Sequence, residues 1–319
     1  MKKEIPILNL RSPVEGRKGG ARRSSIADAF TLIEVMVVMT LLSLIVFALM
    51  AVFNTTQSAF RTSVTQSDIL EGGRSTMDLM AGDLRQMAPS LGQTNLLVNG
   101  FQGAVNFYAN TNANATAANS QPLVQSLTAS PGNQQRVNVL ENFFILSRGN
   151  LNGVPTWFGT GYAVTNLVNG TLYSLYRFST NHPASTDPAP IFYNDFQNFL
   201  KNIAAGSRLM DGVVDLRVRA YDNNGYWMTN TLSGQNTTNN NVQFLLPSAL
   251  GEVGFKMFGN TLPASVEIQM GVLEDRVLQR AESIPVPGTQ SNYLAQQIGK
   301  VHVFRQRVSI PNVDPAAYQ

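Results

Sequence analysis

The sequence predicts an α+β protein in which a long N-terminal helix, part membrane anchor and part amphipathic, carries a mainly antiparallel β-sheet head. Three observations predict it. Val35 to Phe53 is a run of 19 residues with no charge, in which only Thr40 and Ser43 are polar. No proline interrupts Phe30 to Ala88. After Gly92 the apolar spacing changes from three-and-four to strict alternation, the periods of helix and strand.

At a rise of about 1.5 Å per residue, 19 helical residues span roughly the 30 Å hydrocarbon core of a bilayer. A buried soluble helix usually keeps one wetter face, and this run has none. Residues 30–53 are therefore read as the transmembrane half of the helix and 54–88 as its amphipathic half. Met77, Met80, Leu84 and Met87 share one face of that second half, the face expected to pack beneath a sheet. Asp78, Asp83 and Arg85 lie off the stripe and are expected in water. Gly72-Gly73 is expected to kink or loosen the helix, and Pro89 and Gly92 to end it.

Charge and cysteine content narrow the functional classes. The formal charge is +3 over 319 residues, but residues 1–29 hold seven basic and three acidic residues. That leaves 16 basic against 17 acidic residues beyond them, so net charge predicts no nucleic-acid partner. The basic residues belong to an N-terminal leader, where they hold that end in the cytoplasm. The absence of cysteine excludes disulfides, a thiol nucleophile and a cysteine zinc site. A secretory signal peptide cleaved after the apolar run is the alternative. Its core would be unusually long, and no clear mature start follows Ala48 or Ala51.

Residues 89–319 form the head. Strands are expected at Phe101 to Tyr108, Val137 to Ser147, Leu172 to Phe178, Val213 to Tyr221, Ala264 to Leu273 and Val301 to Ile310. In the fourth, Val214, Leu216, Val218 and Ala220 take one face, with Asp215, Arg217, Arg219 and Tyr221 opposite. Asp222-Asn223-Asn224-Gly225 supplies hairpin chemistry before Tyr226-Trp227. Val266, Ile268, Met270 and Val272 point inward from the fifth, and a parity change near Phe304 predicts a bulge in the last. Phe192, Phe196, Phe199, Leu200 and Ile203 predict a short helix covering a sheet. Residues 110–133 and 229–243, rich in Asn and Thr, are read as mobile loops.

Glu34 is the only charge between Asp28 and Arg61 and stands where the apolar run begins. A carboxylate there is either a boundary residue that sets depth or a functional group that needs a partner. The stretch Ala29-Phe30-Thr31-Leu32-Ile33-Glu34-Val35 resembles the processing motif of type IV prepilins and type II secretion pseudopilins. The resemblance implies cleavage by a membrane prepilin peptidase between Ala29 and Phe30, N-methylation of Phe30, and an assembly role for Glu34. The family has Gly before the cut, where this chain has Ala29. On that reading, Glu34 neutralises the Phe30 amine of a neighbouring subunit and sets one axial register.

Three further segments look like the J-type minor pseudopilin and the W-type minor pilin of that family. They are Asp83-Leu84-Arg85-Gln86, Gly212 to Arg219, and Leu262 to Ile268. Prepilin-like proteins of other secretion cassettes remain an alternative. The resemblance implies a non-catalytic, single-pass inner-membrane subunit with its head in the periplasm, or at the cell surface in a pilus, placed near the fibre tip. Its implied partners are other pilin-like or pseudopilin subunits, the prepilin peptidase and the inner-membrane assembly machinery.

Other chemistry is weak in the sequence. His182 in a loop and His302 in a strand lack metal-ligand spacing. There is no Gly-x-Ser-x-Gly elbow or phosphate loop. Asp222 to Gly225 resembles the start of a calcium loop without its later acidic ligand. Glu274, Asp275, Arg276, Arg280 and Glu282 read as a solvated charge run. No cofactor or metal is expected. A rival binding reading, an adhesin or DNA-uptake minor pilin, would use the Asn-rich loops or a basic aromatic patch of Arg217, Arg219, Tyr221, Tyr226 and Trp227.

Overall fold

A computed structural model describes residues 31–91, 103–111, 123–126, 135–165, 172–229, 241–245, 252–311, 313 and 314. The class is α+β: a long N-terminal helix and mostly antiparallel sheet. The chain divides into two compact units, Met1–Ser58 and Ala59–Gln319. Helix α1, Leu32–Arg85, contributes to both.

In the first unit α1 is long and apolar enough to cross a membrane, by length and composition. Its side chains from Leu32 to Phe53 are exposed. The two polar groups of the apolar run are satisfied within the helix itself. Thr40 Oγ1 donates to the Val37 carbonyl and Ser43 Oγ to that of Met39, both at 2.8 Å. Such bonds back to the preceding turn satisfy a hydroxyl without any partner from outside the helix.

The second unit is built on two sheets. Seven antiparallel strands make the larger: β1 (Val105–Thr111), β4 (Glu141–Leu151), β5 (Val154–Thr165), β6 (Ser174–Pro183), β7 (Ser207–Asp211), β9 (Val242–Phe244) and β10 (Phe255–Phe258). Their order is β7-β6-β5-β4-β1-β10-β9. The smaller has the order β12-β11-β8, with β8 at Val213–Tyr221, β11 at Ser265–Leu273 and β12 at Val301–Ser309. β2 (Val124–Ser126) and β3 (Gln135–Val137) form a separate hairpin.

One core joins the helix to both sheets. Met77, Met80, Leu84 and Met87 are buried as the spacing predicts, with Ile69 and Ala81. They cluster with Phe107, Phe143 and Tyr162 of the large sheet and Leu216, Val218, Ile268 and Met270 of the small one. The far face of the large sheet is covered by the segment predicted to be helical. It is a π-helical turn, Ile191–Phe196, running into α2, Gln197–Lys201, and a 3-10 turn, Ile203–Ala205. Phe192, Phe196, Phe199 and Ile203 pack there on Phe144, Leu146 and Trp157. Because β4 is covered on both faces, Phe143-Phe144-Ile145-Leu146 is a continuous apolar run rather than an alternating one. A third cluster packs α3 (Asp275–Glu282) and α4 (Pro287–Ala295) on Val214 and Leu273.

Several expectations need correction. The helix continues through Gly72-Gly73 without a break. A Cβ on Gly73 would overlap the Phe304 ring, so the glycine serves close packing, not bending. Helix α1 stops at Arg85, before Pro89, because the chain turns there to pair with β4. Met87 bridges Ser147, and the Ala88 N–H donates to the Leu146 carbonyl at 3.0 Å. Gly92 lies outside the described residues.

The strand expected at Phe101 to Tyr108 is displaced to Val105–Thr111, and Phe101 lies outside the described residues. Val137 to Ser147 is two strands, because Asn138 to Leu140 leaves the hairpin to reach β8 before β4 begins. The expected loop 110–133 contains β2, and 229–243 runs into β9; the remainder of both is largely outside the described residues. No bulge occurs near Phe304: β12 pairs with β11 in unbroken register from Ser265↔Ser309 to Leu273↔Val301. The irregularity lies on the other side of β11, between Gly271 and Val272 against β8. Val303 is simply exposed, which is what shifts the apolar parity.

Candidate functional site

The start of α1 holds Glu34, to which the resemblance assigns an assembly role. Ala29 and Phe30 lie outside the described residues; Thr31 and Glu34 are within them. The Thr31 N–H and its hydroxyl both donate to Glu34 Oε2 at 3.1 Å. In return the Glu34 N–H approaches Thr31 Oγ1 at 3.4 Å. This is a capping box, Thr-x-x-Glu, which satisfies backbone donors that the first helical turn leaves without partners. The signal is local and present in the sequence itself, Thr31-Leu32-Ile33-Glu34. Glu34 thus has an intrachain role beside the proposed one. Oε2 is engaged, while Oε1 has no hydrogen-bond partner among the described residues.

Within the second unit, Asp83 fastens the helix to the large sheet. Its Oδ2 accepts from the Tyr162 hydroxyl at 2.5 Å and from Arg177 Nε at 2.9 Å, and its Oδ1 accepts from Arg177 NH2 at 3.2 Å. The expectation that Asp83 faces water is therefore wrong: its side chain is 12% exposed. Burial, reinforced by the Asp83 carboxylate, pushes the Tyr162 hydroxyl well above its usual pKa. The phenol therefore remains a donor to Asp83 at any physiological pH. Asp78 and Arg85 are exposed, as expected.

A second polar network closes one edge of the small sheet. Asp215, fully buried, accepts from the Val139 N–H at 2.8 Å, Arg217 Nε at 3.0 Å and Gln269 Nε2 at 2.7 Å. Glu252 takes Arg217 NH1 at 3.0 Å and Arg219 NH2 at 2.6 Å. Glu141 accepts from the Val218 N–H at 2.5 Å. Burial, with a smaller contribution from Glu252, pushes the Glu141 carboxyl up to about 8.

These pairs bear on the rival DNA-binding patch. Arg217 and Arg219 are neutralised by Asp215 and Glu252, and Arg219 lies 4.8 Å over the Trp227 ring. The patch is charge-compensated, with its guanidinium donors turned to internal carboxylates.

The remaining chemical candidates resolve into structural roles. His182 stands in β6 rather than a loop, opposite Trp157, and its Nε2 is 2.7 Å from Asp195. His302 Nε2 lies 3.6 Å from Glu274 Oε1. Asp222 makes a turn: its Oδ1 accepts from the N–H groups of Asn224 and Tyr226 at 2.9 and 2.8 Å. Gly225 completes that turn at φ +82°. The charge run 274–282 is the N-cap and whole length of α3, with Arg276, Arg280 and Glu282 exposed and Val277 and Ala281 buried on its other face. A cleft of about 430 Å³ lies beside it, lined by Asp68, Ile69, Arg208 to Asp211, Val272 and Asp275. Desolvation, then Asp68 and Asp211, raises the Asp275 pKa there. Among the described residues no group of three or more His, Asp or Glu is placed to hold a metal ion.

No protein-family model, curated protein or solved structure matches this chain.

Proposed function

We propose that this chain is a minor pilin-like structural subunit. A prepilin peptidase would process it, and it would assemble through its N-terminal helix into a type II secretion pseudopilus or a type IV pilus, near the tip. The observation that carries the reading is the join at the start of α1. The Ala29 to Val35 motif abuts a 19-residue uncharged run behind a basic leader. In this reading the helix anchors the subunit in the inner membrane and the β-rich head stands in the periplasm. Other pilin-like subunits pack against the apolar helix, and the inner-membrane machinery loads it. The protein's task is packing, and no step of chemistry is assigned to its head.

Glu34 has two successive tasks in this account. In the single subunit it caps its own helix through Thr31. In the fibre its other oxygen meets the methylated amine of a neighbouring Phe30, and a carboxylate left without that amine in a poorly hydrated place is costly. The test is the mature N-terminus, read by peptide mass spectrometry with the peptidase present and absent. A peptide beginning at N-methylated Phe30 supports the reading despite Ala29. An intact leader in both samples leaves a plain membrane anchor, and a start beyond Phe53 makes the protein secreted; either overturns it.

A further inference from the structure

The two edges of the small sheet are treated in opposite ways. In an antiparallel ladder, alternate residues turn their backbone groups to one neighbour and the intervening ones to the other side. On β8 the odd-numbered residues from Asp215 to Tyr221 turn their backbone groups to β11, so the even ones between them face outward. Three of them find partners: the Leu216 N–H donates to the Val139 carbonyl at 2.7 Å, the Val218 N–H to Glu141, and the Ala220 carbonyl accepts from the Met228 N–H at 2.9 Å. That edge is closed.

The edge at β12 is open among the described residues. The Ile310 N–H donates to the Ala264 carbonyl and the Glu274 N–H to that of Lys300, each at 3.0 Å, which sets the even-numbered residues of β12 toward β11. Val301, Val303, Arg305, Arg307 and Ser309 therefore turn their N–H and C=O groups away from the sheet. Among the described residues β12 pairs with β11 alone, over nine residues, and the side chains of Val303, Arg305, Arg307 and Ser309 are exposed, Val303 to 48%. The outer strands of the large sheet are shorter, five residues in β7 and three in β9. Proteins usually shorten, cover, bulge or charge such an edge, and of these devices β12 carries only the charges. Here β12 is long, unbulged and held rigidly from behind, with Phe304 seated against Gly73 of the helix.

The side chains say what fits. From Lys300 to Pro311 the chain carries Lys300, Arg305 and Arg307 and no carboxylate. Lys300 and Arg305 are met by Glu274 and Glu267. Arg307 lies 3.9 Å from the Tyr221 ring centroid and donates to Ser265 Oγ, with no carboxylate partner among the described residues. A second copy added antiparallel about the centre of the exposed stretch would set Arg305 against Arg305, or Arg305 against Arg307, and like charges directly opposed are unfavourable.

We propose that the open edge of β12 is a docking strand for an extended segment of a different protein, with a carboxylate opposite Arg307 and an apolar side chain opposite Val303. Backbone hydrogen bonds supply the affinity and those two side chains the selection, as in strand addition generally. This inference is independent of leader processing and of Glu34, so its failure leaves the proposed function standing.

The test uses the full chain in detergent micelles and a fluorescein-labelled nine-residue peptide. The peptide alternates Thr and Val and carries one Glu at the position opposite Arg307; a counterpart carries Lys there. Anisotropy reads binding, and hydrogen exchange reads protection of the β12 amides. The expected result is tighter binding of the Glu peptide, with protection of the odd-numbered amides from 301 to 309. Val303→Pro removes one outward donor without touching the ladder to β11, so the melt should be unchanged while binding weakens about tenfold. Arg307→Glu should reverse the preference between the two peptides and leave the fold intact. Absence of amide protection, or binding unaffected by Val303→Pro, overturns the proposal. So does concentration-dependent dimerisation abolished by Val303→Pro, which would make the occupant a second copy.

Discussion

Replacing Gly72 and Gly73 separately by alanine distinguishes a flexible glycine pair from a packing contact. Both sit inside α1, where Gly→Ala alone stabilises a helix by about 1 kcal/mol. The surroundings differ. A Cβ on Gly72 would stand 3.2 Å from the Met210 methyl group, the free end of a flexible side chain that can move aside. A Cβ on Gly73 would enter the Phe304 ring, which is fixed by its strand. Inserting a methyl into a filled site costs about 1–3 kcal/mol. The helix-propensity gain is common to both variants and cancels in their difference. Gly73→Ala should therefore be about 1–3 kcal/mol less stable than Gly72→Ala.

The assay is unfolding of the micelle-bound chain followed by tryptophan fluorescence, since Trp157 and Trp227 both report on the head. For a domain of this size each kcal/mol shifts the melting temperature by about 2–4 °C. Phe304→Leu in the Gly73→Ala background should recover most of the loss. If the two alanine variants are equally stabilised, the overlap argument is wrong and the glycines are merely flexible.

Asp83→Ala should cost about 2–3 kcal/mol in urea unfolding, because it strands the Tyr162 hydroxyl and Arg177 together in a largely buried place. Glu141 adds a pH dependence of definite sign. Its folded pKa is raised to about 8 from 4.5, so the folded state holds a proton there that the unfolded chain has released. Its contribution to stability is complete below about pH 4.5 and is lost as pH rises toward 8. Glu141→Gln should flatten that slope, gaining on the wild type at pH 8.5 and losing the advantage by pH 5; an unchanged slope in denaturant titrations would refute the assignment. Glu34→Gln separates the two tasks given to Glu34. Glutamine retains the capping box, so helicity by circular dichroism should match wild type while recovery in sheared fibres falls. Wild-type recovery of that variant would remove the charge from the assembly account.

What the sequence by itself determined is local. The apolar run, the methionine stripe, the alternation of Val213 to Tyr221 and the Asp222 turn are each written in residues that touch or nearly touch along the chain. Two local signals were equally legible and went unread: the Thr31-x-x-Glu34 cap, and Asn152-Gly153, whose positive φ values of 52° and 82° turn β4 into β5. The strand β5 itself was hidden for a tertiary reason. Gly159 and Gly161 break its pattern because Ile191 and Phe196, some 30 residues away, occupy the space their side chains would fill.

Tertiary structure alone decided the rest. Asp83 reads as a solvated helix residue until Tyr162 and Arg177 arrive from β5 and β6. Gly73 reads as a weak point until Phe304 arrives from β12, over 200 residues later. The closed edge of β8 depends on Val139 and Glu141, and the open edge of β12 on no strand arriving there among the described residues. The physical reason is common to all of them. Periodicity records which side of an element is dry, whereas the partner of a buried charge, the occupant of a vacant Cβ position and the pairing of a strand edge are set by contacts between distant segments.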